Sequence, residues 1–179
     1  LRHWNAGPGK RVAVLGMGGL GHMGVKFAHA LGAHVTVISH SNNKRDDALR
    51  LGADAFINSS DEGAFDEVQG SFDLILNTVS AELEINTYLK LLAWNGTLVI
   101  LGLPGKPLTV HAGNLMGKRR SLAASGIGGL KETQEMLDFC GEHGIVSDIE
   151  VITPEYINEA WDRVVASDVK YRFVIDIKG

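Results

Sequence analysis

Gly16, Gly18 and Gly21 stand at the spacing G-x-G-x-x-G within Gly16-Met17-Gly18-Gly19-Leu20-Gly21. Such a turn suits a diphosphate. The first glycine allows a tight bend, the second admits a pyrophosphate to the backbone, and the third lets a helix pack closely on the preceding strand. Unpaired N–H groups at the start of that helix then face the anion, and the positive end of the helix dipole adds to the attraction. A dinucleotide site commonly carries an acidic side chain about 20 residues further on, which holds the adenosine ribose. Here no Asp or Glu occurs from Gly16 to Arg45, and the corresponding stretch reads Ser39-His40-Ser41, followed by Lys44 and Arg45. Hydroxyls and cations at that place suit a 2′-phosphate, which a carboxylate would repel. NADP(H) is therefore expected in preference to NAD(H).

Other chemistry is sparse. The histidines are His3, His22, His29, His34, His40, His111 and His143, with no H-E-x-x-H among them. His22 and His29 lack a third ligand, so packing or surface roles are expected of them and no metal site is assigned to this chain. Cys140 is the only cysteine, which excludes an internal disulfide and a thiolate cluster. It falls on the apolar stripe of its helix and is expected in the core rather than as a nucleophile. Asp73, Asp138 and Glu142 form no readable acid–base pair and no G-x-S-x-G elbow occurs, so hydrolase chemistry is not expected. No catalytic residue is assigned.

Positioning the glycine turn requires a strand before it and a helix after it. Residues 11–15 (R-V-A-V-L) lie between Gly7-Pro8-Gly9 and Gly16 and read as a buried parallel strand. From Gly19 the apolar positions Leu20, Met23, Phe27, Ala30 and Leu31 fall at helical spacing, and Gly32 closes the segment. The alternation continues with a strand at 34–39, a helix at 43–51 and a short strand at 55–57. After an acidic loop at 61–70 come a strand at 72–79, a helix at 82–92, strands at 97–103 and 120–125, and a helix at 130–140. Strands separated by helices predict an α/β fold with a doubly wound, parallel, six-stranded Rossmann sheet covered on both faces. Beyond it, Pro154 opens a helix striped by Tyr156, Ile157, Ala160, Trp161, Val164 and Val165, and 171–177 reads as a terminal strand. Residues 1–150 are thus expected to form an NADP-binding domain and 151–179 a helix–strand tail. That tail either extends the same sheet or belongs to a neighbouring domain.

With 17 Lys+Arg against 21 Asp+Glu and a formal net charge of −4, no overall cationic field would recruit nucleic acid. A content of 45% hydrophobic and 21% charged residues describes an ordinary globule. The longest apolar stretches are strand-sized, far from the roughly 20 residues of a membrane span. The opening Leu1-Arg2-His3-Trp4-Asn5 has no secretory signal pattern, so a cytoplasmic setting is expected.

Four blocks carry a family resemblance: G-M-G-G-L-G-H at 16–22, H-V-T-V-I-S-H-S-N-N-K at 34–44, L-G-A-D at 51–54 and Y-R-F-V-I-D-I at 171–177. Together they resemble the zinc-dependent medium-chain alcohol dehydrogenases, above all the cinnamyl alcohol dehydrogenase branch. The resemblance spans essentially the whole chain and corresponds to that family's cofactor domain plus its C-terminal return segment. It implies interconversion of alcohols and aldehydes, with NADPH delivering hydride and a zinc ion polarising the substrate oxygen. It also implies Gly16, Gly18, Gly19, Leu20 and Gly21 at the pyrophosphate, and Ser39, Ser41 and Lys44, with His40 in the same loop, at the 2′-phosphate. Thr78, Leu101, Gly102, Leu103, Ser125, Gly126 and Ile127 would border the nicotinamide half, and Arg172 would reach the cofactor phosphates.

The family's zinc ligands, cysteines and a Gly-His-Glu segment, belong to an N-terminal catalytic domain that nothing in this chain reproduces. Zinc is accordingly expected only in that missing part, and this chain alone is expected to bind cofactor without turning over substrate. The family pairs its sixth strand across a dimer axis, which implies a homodimer through residues 108–125. Two alternatives stay open: a non-catalytic NADP-sensing module, and a zinc-free quinone reductase of the same superfamily.

Overall fold

The computed structural model describes residues 1–178. Gly179, the last residue of the expected tail, lies outside the described residues. The β-branched runs pair as parallel strands: β1 (Arg11–Leu15), β2 (His34–Ser39), β3 (Ala55–Asn58), β4 (Phe72–Asn77), β5 (Leu92–Ile100) and β6 (Ser121–Ala124) form one sheet in the order β3-β2-β1-β4-β5-β6. Val12 pairs with Val35 on one side and with Leu74 on the other. Because side chains alternate along a strand, β1 feeds two cores. Val12 and Val14 join Val25, Val35, Val37, Leu74 and Leu76 on one face. Ala13 and Leu15 join Ile38, Phe72, Ile75, Leu89 and Leu98 on the other. The doubly wound fold read from the alternation is the observed one. Its strand order reverses between β1 and β4, and ligands of such sheets bind in the crevice at the carboxyl ends of the strands there.

Boundaries differ where side chains take over backbone bonds. β4 stops at Asn77 rather than 79, because the Thr78 N–H donates to Leu15 O and the Val79 N–H to the Asn77 side-chain oxygen. The helix expected over 82–92 is confined to α3 (Ile85–Lys90), where the Glu84 carboxylate accepts from the Asn86 N–H and caps the first turn. β5 begins early and ends at Ile100, since the Leu101 and Gly102 N–H groups both turn to Asn77 O. The first crossover, α1 (Gly19–Ala30), and the second, α2 (Arg45–Arg50), follow their glycine-ended patterns. A short helix, α4 (Ala112–Met116), was not expected.

α5 (Leu130–His143) ends at Gly144 with φ +63°, a left-handed cap that glycine adopts freely. It has no buried residue, which corrects the core assignment of Cys140. That thiol is half-buried, 3.6 Å from the Met136 sulfur. The stripe it sits on is real, but little of this chain covers it.

The tail does not extend the sheet. β7 (Glu150–Ile152), a strand the sequence reading missed, pairs in parallel with β8 (Phe173–Ile175) as a separate two-stranded sheet, with α6 (Ile157–Val165) between them. No helix among the described residues is long and apolar enough to cross a membrane.

Candidate functional site

At the end of β1 the chain turns at Gly16, whose φ is +90° and whose N–H donates to Ile38 O at 2.9 Å. A Cβ on Gly16 would lie 2.6 Å from Val79 Cγ2, and one on Gly21 would lie 2.1 Å from Gly16 O. Neither position tolerates a side chain, so the first and third glycines are demanded by the turn itself. Gly18 differs: its Cβ position meets nothing within 4 Å. As N-cap of α1 without a side-chain cap, it leaves the first-turn N–H groups beside a space that a ligand would fill. Leu20 is exposed on that same turn.

The end of β2 lies alongside. Ser39 is buried, Ser41 half-buried and His40 exposed between them. The loop is held from below by the Ser60 hydroxyl, which donates to His40 O at 2.8 Å. Lys44 bridges the two segments, its ammonium donating to Met17 O at 3.0 Å. Burial lowers the Lys44 pKa below its ordinary value, with Asp47 opposing and Lys170 adding to the shift. Among the described residues Lys44 makes no ion pair.

Of the residues assigned to the nicotinamide half, Thr78 has a prior engagement. Its hydroxyl donates to Leu15 O at 2.9 Å and lies 3.4 Å from Gly16 O, so it braces the turn at the mouth of the crevice. Gly102 is buried, and a Cβ there would lie 2.3 Å from Val79 O. Leu101 is half-buried and Leu103 exposed. Ser125, Gly126 and Ile127 are all exposed at the carboxyl end of β6. They line a cavity of about 480 Å³ with Trp4, Phe27 and Phe139, which contains no residue of the glycine turn. The structure therefore brings the glycines, Ser39, Ser41, Lys44 and Thr78 together, and sets Ser125, Gly126 and Ile127 at the carboxyl end of β6, beside the end of β5 that carries Leu101 to Leu103.

The tail returns to the turn. Arg172 donates to Gly19 O at 3.1 Å, and a cavity of about 470 Å³ is bounded by Gly18, Gly19, Lys44, Arg172 and the Trp161 side of α6. Beneath it lies a contact set that sequence reasoning missed. His22 is fully buried; its Nδ1 lies 3.2 Å from Gly18 O, and its Nε2 accepts the Asp148 N–H at 3.3 Å. One donating and one accepting nitrogen define a neutral ring with its proton on Nδ1. Burial lowers the His22 pKa, helped by Lys26 and Arg172 and opposed by the Gly18 and Asp148 contacts. Asp148 in turn takes Lys26 and Arg50, and the Lys26 bond is the chief reason its carboxyl is held below its ordinary range. The Tyr171 ring stacks on His22. The only signal in the sequence was a tyrosine adjoining Arg172, and periodicity says nothing of contacts between chain ends.

Among the described residues no three His, Cys, Asp or Glu side chains converge as metal ligands would. An open cradle at a helix start, next to a hydroxyl- and lysine-bearing loop at the switch point of a doubly wound sheet, defines a dinucleotide-binding α/β domain. The sequence profile of the zinc-binding dehydrogenases matches residues 19–142, and the chain belongs to that family. It is 62% identical over 176 residues to NADP-dependent alcohol dehydrogenase C 1 of Mycolicibacterium smegmatis, covering 98% of this chain and 50% of that protein. A cinnamyl alcohol dehydrogenase of Sorghum bicolor superposes with a TM-score of 0.96 at 46% identity, covering 99% of this chain and 51% of its own. The corresponding enzyme of Helicobacter pylori, solved in complex with NADP(H), gives 0.89 at 35% identity, covering 99% and 51%. The chain spans about half the length of the curated relatives it matches.

Proposed function

We propose that this chain is the NADP(H)-binding portion of a zinc-containing alcohol dehydrogenase or aldehyde reductase, in which hydride passes between NADPH and an alcohol or aldehyde. The observation that carries the reading is the stitching of two loops: Gly16 to Ile38 O and Lys44 to Met17 O. It supports a diphosphate cradle beside a 2′-phosphate pocket, with the Lys44 cation at its edge and no carboxylate between Gly16 and Arg45. The M. smegmatis relative's name and the H. pylori complex support the same coenzyme. The coenzyme, once bound, supplies the hydride chemistry. This chain's residues bind and orient it: first-turn N–H groups of α1 at the diphosphate, Ser39, Ser41 and Lys44 at the adenosine end, and Arg172 across the mouth.

Zinc belongs, in this reading, to the catalytic part that the longer relatives carry, because no ligand set converges among the described residues here. Residues 1–150 act as the cofactor domain and 151–179 as a segment of the catalytic one, supported by the tail having its own sheet. The β6 edge, paired on one side only, serves as the homodimer seam. Fluorescence or calorimetric titration tests the core of this: NADPH is expected to bind at least about tenfold tighter than NADH, a difference of about 1.4 kcal/mol, without aldehyde turnover by the chain alone. Equal affinities, or preference for NADH, overturn the reading.

A further inference from the structure

Tyr171 is far from the glycine turn in sequence but only 3% exposed, and it meets the cofactor site through several groups. Its ring stacks on His22 with centroids 4.8 Å apart and planes 17° from parallel. Its carbonyl oxygen lies 3.4 Å from where a Gly19 Cβ would stand. The Lys44 ammonium sits 5.7 Å from the ring centroid. His22 is itself fixed at both nitrogens, to Gly18 and Asp148, so the ring rests on a platform that cannot swing.

Lys44 has little else to hold it. Its ammonium has three donors on a flexible four-carbon stem, and among the described residues one hydrogen bond, to Met17 O, is formed. Asp47, the carboxylate whose charge acts on Lys44, is already occupied: Lys170 Nζ lies 2.6 Å from Asp47 Oδ2, and Arg50 Nη2 lies 3.3 Å from Asp47 Oδ1. The buried Tyr171 hydroxyl faces the same carboxylate without a fully formed hydrogen bond. A half-buried cation with no carboxylate partner among the described residues, and an aromatic ring beside it, can take an incoming anion, and the ring's quadrupole attracts the cation in the meantime.

We propose that Tyr171 is a positioning residue for coenzyme choice, its ring holding the Lys44 ammonium beside the glycine turn so that NADP(H) is favoured over NAD(H). The inference rests on the NADP(H) reading given above and adds to it a residue from the opposite end of the chain.

The test is a set of titrations with NADPH and NADH on the purified protein and its Tyr171→Leu, Tyr171→Phe and Lys44→Ala variants. Tyr171→Leu is expected to weaken NADPH about fivefold and to leave NADH unchanged. Tyr171→Phe, which keeps the ring, retains the preference. In the Lys44→Ala background, Tyr171→Leu produces no further change in the ratio, because its effect runs through Lys44. A parent protein without NADPH preference overturns the coenzyme reading and this inference together. A parent that prefers NADPH, with a Tyr171→Leu ratio equal to it, overturns the inference alone. Should Tyr171→Leu fail to fold, NMR on the unsubstituted protein decides. The Lys44 ε-methylene protons, identified by their loss in Lys44→Ala, are expected upfield of ordinary lysines through the ring current of Tyr171. Unshifted resonances overturn the proposal.

Discussion

β1 and α6 are both written in apolar residues, yet their fates differ. Val12, Ala13, Val14 and Leu15 are all inaccessible between two layers of helices, whereas on α6 only Ala160 is buried and Trp161 is 69% exposed. A periodic apolar stripe reports which face of an element wants cover, and leaves open whether the cover lies within the same chain. The central sheet finds its partners locally, through crossovers that carry one α-helix each except the loop between β3 and β4. The chain from Asp148 onward meets α1 and α2 through a few polar and aromatic groups, Asp148, Tyr171 and Arg172, and the apolar stripe of α6 lines the open cavity beside the glycine turn.

The comparison breaks most readily by substitution on the two sides. Leu98→Ala, in the fully buried centre of β5, is expected to cost about 3 kcal/mol of unfolding free energy, measured by denaturant titration. Trp161→Ser is expected to change it by less than about 0.5 kcal/mol. Similar losses for both would mean that α6 is packed as the sheet is. A second, smaller contrast lies within the glycine turn. Gly21→Ala drives a methyl onto Gly16 O and is expected to cost about 2 kcal/mol. Gly18→Ala meets open space and is expected to weaken coenzyme binding while leaving the thermal midpoint nearly unchanged. A midpoint lowered equally by both changes would remove the distinction between a glycine kept for packing and one kept for a ligand.

What was legible follows the same division. Five-residue β-branched runs bounded by glycine identify β1 and its crossover because both signals are local, and the alternation then fixes the doubly wound class. β7 and α4 escaped because three and five residues carry no period. Thr78 is placed at the nicotinamide half by resemblance alone, and the bond of its hydroxyl to Leu15 O is a contact that no sequence pattern signals. Cys140 was expected in the core from its stripe, and this chain leaves it half-buried. His22 looked like any packing histidine, and its partners Asp148 and Tyr171 are more than a hundred residues away in sequence. Contacts of that span are visible only once the chain is folded.

Charge at the junction of the two regions gives a prediction for binding. Lys44→Glu places a carboxylate beside the Met17 carbonyl and the serine loop, where its charge opposes a phosphate. NADPH affinity is expected to fall about tenfold, near 1.4 kcal/mol, with NADH less affected. Equal losses for both coenzymes would assign Lys44 to the shape of the turn rather than to the 2′-phosphate.

The smallest effect expected is one of pH, and its sign comes from His22. In the folded chain the buried ring is neutral and its Nε2 must keep a lone pair for the Asp148 N–H, so its pKa is lowered relative to the unfolded chain. The unfolded chain takes up the proton as pH falls below about 6.5, while the folded chain resists it. Stability is then complete above that pH and declines as pH falls through it. Asp47 and Asp148 act lower down. Burial raises the Asp47 pKa, but its hydrogen bonds from Lys170 and Arg50 outweigh that, and both carboxyls are held below their ordinary range. Their contribution persists until the pH drops below about 4. Between pH 6.5 and 4.5 the thermal midpoint should therefore fall, and in His22→Gln, whose amide keeps one donor and one acceptor without titrating, it should fall less. Identical slopes in the two proteins would show that the tail is tied to the glycine turn without regard to the charge of the ring between them.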